Sequence, residues 1–268
     1  MKTRHLKSVG LLAMCLGSLA VTEKAYAYAG AVVVTEYTTG GYAYNYYDGV
    51  GSTTRGLIGG VFGNLNNSLG TSYARSYVTS DGMGGWEEVA DVLSASGDTL
   101  AVWGYGVDPG SSPTSTASCD PNHRDIEISD PSGASRWACF LDTVENSTQY
   151  SFSAWADEAN IEWDGTAGYN NNRGHAWIHC YGNAEATARC IPISHYVNSG
   201  TAGATWTSTS LDIAGQDGAD GEFCMLTGIN GTFRTNSTSY GVGITHTLFG
   251  DWTLTTSAGV GGTAECDY

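Results

Sequence analysis

The chain has 268 residues, 37 of them glycine, and sets 11 Lys and Arg against 27 Asp and Glu for a formal net charge of −16. That length suits one large β domain or two small ones, with enough chain for a real core. The acidity argues against nucleic acid as a partner, because such a surface repels phosphate backbones, and it leaves no polybasic patch for anionic lipids.

Residues 1–27 have the layout of a secretory signal peptide. Lys2, Arg4 and Lys7 precede an apolar run from Val9 to Val21, and Ala25-Tyr26-Ala27 supplies small residues for cleavage. The run is too short to span a bilayer, so no transmembrane segment is expected. A second cut after Ala29 is compatible with the same pattern. Cys15 does not make a lipoprotein anchor, because large Met14 stands where a small residue belongs. Removing residues 1–27 takes away every lysine and leaves seven arginines, 26 acidic residues and a formal charge of about −19. Six cysteines remain, Cys119, Cys139, Cys180, Cys190, Cys224 and Cys266. An even number in an exported chain predicts disulfides, and localisation outside the cytoplasm, in the medium, periplasm or cell surface. No Cys-x-x-Cys pair suggests a zinc ribbon or a redox site.

The first predicted strand is Ala31 to Tyr37. Next comes a tyrosine- and glycine-rich segment, Gly40 to Gly51, in which alternation would set Tyr42, Tyr44 and Tyr46 on one strand face. Exposed rings there would stack on sugars; a packed face or a flexible linker is the plainer alternative. After a turn at Asp48-Gly49, Ala74 to Thr79 reads as a strand and Asp81-Gly82 as another turn. Trp86 to Leu93 is open between a short helix and a strand, and Thr99 to Tyr105 is a strand. A Pro/Gly/Ser/Thr stretch from Asp108 to Ser118 then marks a composition break, and every retained cysteine follows it.

Beyond the break, Asp120, Asp125, Glu127 and Asp130 form an acidic cluster. Tyr150 to Ala156 reads as a strand, Asp164-Gly165 as a turn and Ala176 to Cys180 as a strand. His175 and His179 have a spacing that on a helix would share a zinc ion, but four residues of strand cover roughly 13 Å, too far for one metal. On a strand, His175, Trp177 and His179 share a face opposite Ala176, Ile178 and Cys180, which makes either a small binding platform or a face covered by a second sheet. Asp217, Asp220 and Glu222, among glycines, carry calcium-like oxygen chemistry without the EF-hand spacing, so a solvated acidic turn is the simpler reading. Asn230-Gly231 reads as a turn, and Tyr240 to Thr245 and Trp252 to Thr256 as strands. Many short strands between frequent turns predict an all-β protein, a sandwich or barrel-like set of modules.

The C-terminal half also contains a degenerate internal repeat. One copy opens Cys139-Phe140-Leu141-Asp142, passes Trp177 and closes Thr187-Ala188-Arg189-Cys190. The other opens Cys224-Met225-Leu226-Thr227, passes Trp252 and closes Thr263-Ala264-Glu265-Cys266. The expected organisation is therefore a signal peptide at 1–27, a cysteine-free Gly/Tyr-rich β region at 28–117, and cysteine-rich β modules at 118–190 and 191–268. One sandwich with a long loop at the composition break is the alternative. The second copy, with Cys224-x-Leu226, Gly231-x-Phe233, Val242-x-Ile244, Trp252-x-Leu254 and a final Ala264-x-Cys266, resembles a module of uncharacterised secreted bacterial proteins. That resemblance implies a β-rich, cystine-closed unit and no activity. If each copy of the repeat closes on itself, the bridges are Cys139–Cys190 and Cys224–Cys266, which leaves Cys119 for Cys180.

No nucleophile elbow, phosphate loop or dinucleotide fingerprint is present, and no cofactor is expected. Carboxylates are too abundant for a glycosidase pair to be told from sequence. Three function classes follow: a non-catalytic exported protein that binds a glycan or surface partner, a structural surface or matrix component, and a secreted polysaccharide hydrolase. The first is the expectation, with Trp177, His175 and His179, then Tyr42, Tyr44 and Tyr46, as binding residues.

Overall fold

A computed structural model describes residues 32–65, 72–95, 97–110, 114–129, 137–146, 152, 154, 157–163, 175–193, 196–202, 209–214, 223–246 and 252–267. The expected signal peptide, Asp130, the expected Asp164-Gly165 turn, most of Tyr150 to Ala156, and the calcium candidates Asp217, Asp220 and Glu222 lie outside these residues. The described residues are all β, in eighteen strands. The first six are β1 (Val32–Thr38), β2 (Gly41–Asp48), β3 (Arg55–Gly63), β4 (Ser72–Ser80), β5 (Trp86–Ser94) and β6 (Leu100–Val107). Six more follow: β7 (Ser115–Cys119), β8 (Asp125–Ile128), β9 (Trp137–Asn146), β10 (Glu158–Trp163), β11 (Ala176–Tyr181) and β12 (Glu185–Pro192). The last six are β13 (Tyr196–Ala202), β14 (Thr209–Ala214), β15 (Phe223–Gly231), β16 (Gly241–His246), β17 (Trp252–Thr256) and β18 (Val260–Asp267). The segment left open between helix and strand is thus β5. Asn230-Gly231 is not a free turn but the last pair of β15, still opposite β18.

The strands form three six-stranded antiparallel sheets, β1-β6-β3-β16-β17-β14, β13-β18-β15-β10-β11-β8 and β2-β5-β4-β9-β12-β7. Their order is periodic. Raising every strand number by six, and continuing from β18 to β1, turns the first sheet into the third, the third into the second, and the second into the first. Each run of six strands contributes three to one sheet and three to another. Within the first run, β1, β6 and β3 pack over β2, β5 and β4; the second and third runs stack in the same way. Three β-sandwiches result, each sharing both of its sheets with its neighbours. The cuts expected at 117/118 and 190/191 fall inside β7 and β12, and the connections between runs lie at 108–114 and 193–195.

The third strand of each run, β3, β9 and β15, packs against the other two at the centre. These strands are rich in Leu, Ile, Val, Phe, Cys and Gly because both faces are covered; β3 is buried from Gly56 to Gly63. Phe140 of β9 meets Phe223 of β15 with ring centroids 5.5 Å apart. Each central strand also carries one bulge against its partner, with Gly59, Asp142 or Thr227 as the extra residue. Gly63 and Gly231 end the paired stretches of β3 and β15 with φ of 108° and 100°, where a side chain would strike the carbonyl oxygens of Thr99 and Gly259.

Disulfides join Cys119–Cys180, Cys139–Cys190 and Cys224–Cys266. The last two link directly opposed residues of neighbouring strands, β9 with β12 and β15 with β18. Cys119–Cys180 instead ties β7 in one sheet to β11 in another, clasping the two layers of the second sandwich. Three disulfides fit an oxidising compartment.

Candidate binding face

The outer face of the third sheet begins at the edge strand β2, whose sequence Gly41-Tyr-Ala-Tyr-Asn-Tyr-Tyr-Asp48 alternates aromatic and small or polar residues. Alternation puts Tyr42, Tyr44 and Tyr46 on one side. Their rings stand in a near-parallel row, with centroids 5.7 Å apart between Tyr42 and Tyr44 and 6.2 Å between Tyr44 and Tyr46. Each is about half exposed, at 53%, 53% and 48%.

Register carries this face inward across the sheet. Tyr42 lies opposite Leu93, which lies opposite Tyr73; Tyr44 leads to Asp91 and Arg75, and Tyr46 to Val89 and Tyr77. Residues directly opposite each other share a face. Asp91 is fully buried, and two hydrogen bonds hold it to Arg75, from Nε at 2.9 Å and from Nη2 at 2.7 Å. The Arg75 guanidinium lies 4.0 Å from the Tyr73 ring centroid and 5.6 Å from that of Tyr77. Tyr42 Oη and Tyr77 Oη both reach toward Asp91 Oδ2, at 3.4 and 3.5 Å. Burial, and then the Asp91 charge, push the phenols of Tyr42 and Tyr77 above their ordinary range, so they stay protonated as donors. An ion pair roofed by tyrosines therefore fixes the floor from which the exposed Tyr44 and Tyr46 project.

Sequence reading found the row of Tyr42, Tyr44 and Tyr46 but missed Tyr73, Arg75, Tyr77 and Asp91. A signal was present in the alternation Tyr73-x-Arg75-x-Tyr77, which matches that of β2. What it lacked was the register that lays β4 and β2 on either side of β5.

The structure places His175, Trp177 and His179 on the outer face of the second sheet, with Ala176, Ile178 and Cys180 buried behind them. His179 Nδ1 lies 2.6 Å from Asp125 Oδ1 and its Nε2 lies 3.6 Å from Glu162 Oε2, while His175 pairs with Glu127. Trp177 is half-buried between Glu127 and Glu162 in register. Both imidazoles are thus engaged by carboxylates, and among the described residues no three His, Cys, Asp or Glu are arranged to hold a metal ion. The match of Trp177 with Trp252 in the sequence repeat slips by one position in the structure. Ile178 opposite Ile161 corresponds to Leu254 opposite Ile244, so Trp252 takes the place of Ala176 and points inward, while Trp177 points outward.

Two faces chosen from sequence therefore exist as separate surfaces on different sheets. The tyrosine face is the more open of the two. Among the described residues no helix is long and apolar enough to cross a membrane. Comparison with protein-family models, curated proteins and solved structures found no match for this chain.

Proposed function

We propose that the chain is an exported, non-catalytic protein that binds glycans through the tyrosine face of β2, β5 and β4. The observation that carries this reading is the row of half-exposed rings at Tyr42, Tyr44 and Tyr46, backed by Tyr73 and Tyr77. A sugar ring has an apolar C–H face and hydroxyls around its rim. Aromatic rings with phenolic hydroxyls answer both, and a rigid sheet holds them without ordering on binding. The signal-like residues 1–27 and the three disulfides support an extracellular place of work.

Tyr44 tests the reading most cleanly, because it is exposed and its removal opens no core cavity. A glycan array of neutral and acidic oligosaccharides should give a binder, and Tyr44→Ala should weaken that binder by about 1–3 kcal/mol, the scale of lost aromatic contact, with an unchanged melting temperature. Absence of any glycan binder, or a Tyr42→Ala/Tyr44→Ala/Tyr46→Ala protein that binds as the wild type does, would remove this function.

A further inference from the structure

Beside the tyrosine face lies a pocket lined by Ser52, Thr54, Arg55, Tyr77, Trp86, Thr114 and Arg189, among others. Its makeup is unexpected for this chain. Past residue 27 there are only seven cations, and two of them meet here although 134 positions separate them. Arg55 leads β3, and Arg189 sits in β12 of the third sheet. Tyr77 belongs both to the pocket wall and to the tyrosine face, so the two surfaces adjoin.

The two arginines differ in their commitments. Arg189 is bound to Asp142, whose Oδ2 accepts from its Nε at 3.0 Å and lies 2.9 Å from its Nη2. Among the described residues, Arg55 has no carboxylate within 4.0 Å. Its Nη1 donates to the carbonyls of Ser52 and Thr54 at 3.1 and 2.8 Å, and its Nε reaches Thr114 Oγ1 at 3.4 Å. Backbone carbonyls and a hydroxyl thus aim the guanidinium, while its Nη2 edge has no hydrogen-bond partner among the described residues. Burial, and then the charge of Arg189, make the protonated state of Arg55 less favourable than usual; Asp108 compensates in part. A held cation, facing a second cation and only partly compensated by Asp108, with no carboxylate in direct contact among the described residues, is the arrangement that an oxyanion completes. Serine and threonine hydroxyls around the pair add neutral donors, and Trp86 adds an apolar wall.

Resting on the glycan reading above, we infer that this pocket takes the oxyanion of an acidic sugar, a uronate carboxylate or a sulfate ester, while the neighbouring tyrosines take the sugar rings. The ligand class is then an acidic polysaccharide rather than a neutral one. A protein of net charge −16 gains nothing from general attraction to such a polymer, so selectivity has to come from a local site of this kind.

The test measures the full-length exported protein by titration calorimetry against matched pairs: oligogalacturonate with its methyl ester, and dextran sulfate with dextran. The expected result is at least tenfold tighter binding of one charged member than of its neutral partner, with an advantage that shrinks as salt rises. Preference for oligogalacturonate identifies the carboxylate, and preference for dextran sulfate the sulfate ester. Arg55→Gln should abolish the preference and leave affinity for the neutral member unchanged, whereas Tyr44→Ala should weaken both members of the pair. Arg55→Lys keeps charge without the planar fork and should keep only part of the preference. Should Arg55→Gln not fold, Arg55→Lys carries the same comparison, and a preference as large as that of the wild type then overturns the fork.

Equal affinity for charged and neutral members, or an Arg55→Gln protein with the wild-type preference, overturns the pocket while glycan binding stands. If no polymer binds, Trp86 fluorescence titrated with galacturonate, galactose and inorganic sulfate still decides the pocket. A response to either anion but not to galactose, lost in Arg55→Gln, upholds the oxyanion site and leaves the glycan reading to fail alone. No response to either anion overturns both.

Discussion

Gly56 and Gly106 stand opposite each other in β3 and β6, at the register position that Cys139 and Cys190 hold in β9 and β12 and that Cys224 and Cys266 hold in β15 and β18. The first sandwich thus has a glycine pair where the other two have a disulfide. Space explains the difference on one side of the pair. A Cβ on Gly56 would lie 2.3 Å from the Tyr77 nitrogen and 2.5 Å from the Ser76 carbonyl carbon, so β4 backbone occupies the place of a side chain. We expect Gly56→Ala to destabilise by about 1–3 kcal/mol or more through overpacking, and a Gly56→Cys/Gly106→Cys protein to lose stability rather than gain a fourth bridge. Urea unfolding measures the first, and thiol titration the second. A more stable, fully oxidised double variant would show that β4 yields.

Glu88 is fully buried in β5. It accepts a hydrogen bond from Ser76 Oγ at 2.6 Å, and its other carboxylate oxygen has no partner. Burial pushes its pKa from 4.5 up to about 8, with Ser76 and Arg189 opposing. The unfolded chain releases this proton near pH 4.5 and the folded chain only near pH 8, so between those values the unfolded state binds fewer protons and stability falls as pH rises. Glu88→Gln keeps the Ser76 bond without the titration. We expect it to match the wild type near pH 4 and to exceed it by a few kcal/mol at pH 8. Denaturant midpoints at several pH values check this; a constant difference across the range would mean that Glu88 does not carry the effect.

Asp91 and Arg75 form the ion pair beneath the tyrosine face, with the carboxylate buried and the guanidinium side chain 36% exposed. Asp91→Ala leaves a half-buried cation and two phenols without their acceptor. The expected loss is about 2–4 kcal/mol, below the full range for a buried pair because Arg75 retains some water. Glycan affinity should fall as well, since Tyr42 and Tyr77 lose their anchor. Arg75→Ala compared with the double variant in a mutant cycle isolates the pair; a coupling near zero would make the pair incidental.

The three disulfides close sequence separations of 61, 51 and 42 residues. Chain entropy alone gives each about 4 kcal/mol, with differences of only a few tenths. Cys139–Cys190 and Cys224–Cys266 join strands that are already paired, whereas Cys119–Cys180 holds two sheets together. We expect paired alanine replacement to cost similar amounts for the first two and more for Cys119–Cys180, where packing between layers is lost too. Equal losses for all three would return the whole effect to the unfolded chain.

Legible in the amino-acid sequence were the strand class, six of the eighteen strands (β1, β4, β6, β11, β16 and β17), the cystine frame and the three tyrosines of β2. Those features are local or carried by rare residues. A period of two marks a half-buried strand, and Cys at both ends of a repeated pattern marks a closure. Tertiary structure alone decided the threefold order of strands, because backbone pairing leaves no mark on the identity of a strand's neighbour. The slip between Trp177 and Trp252 shows the limit: one residue of register turns a side chain from core to surface, and aligned sequence ends do not set it. Arg55 and Arg189 meet for the same reason. Nothing near either residue in sequence points to the other, and only the packing of β3 beside the sheet that holds β12 brings the two charges to one pocket.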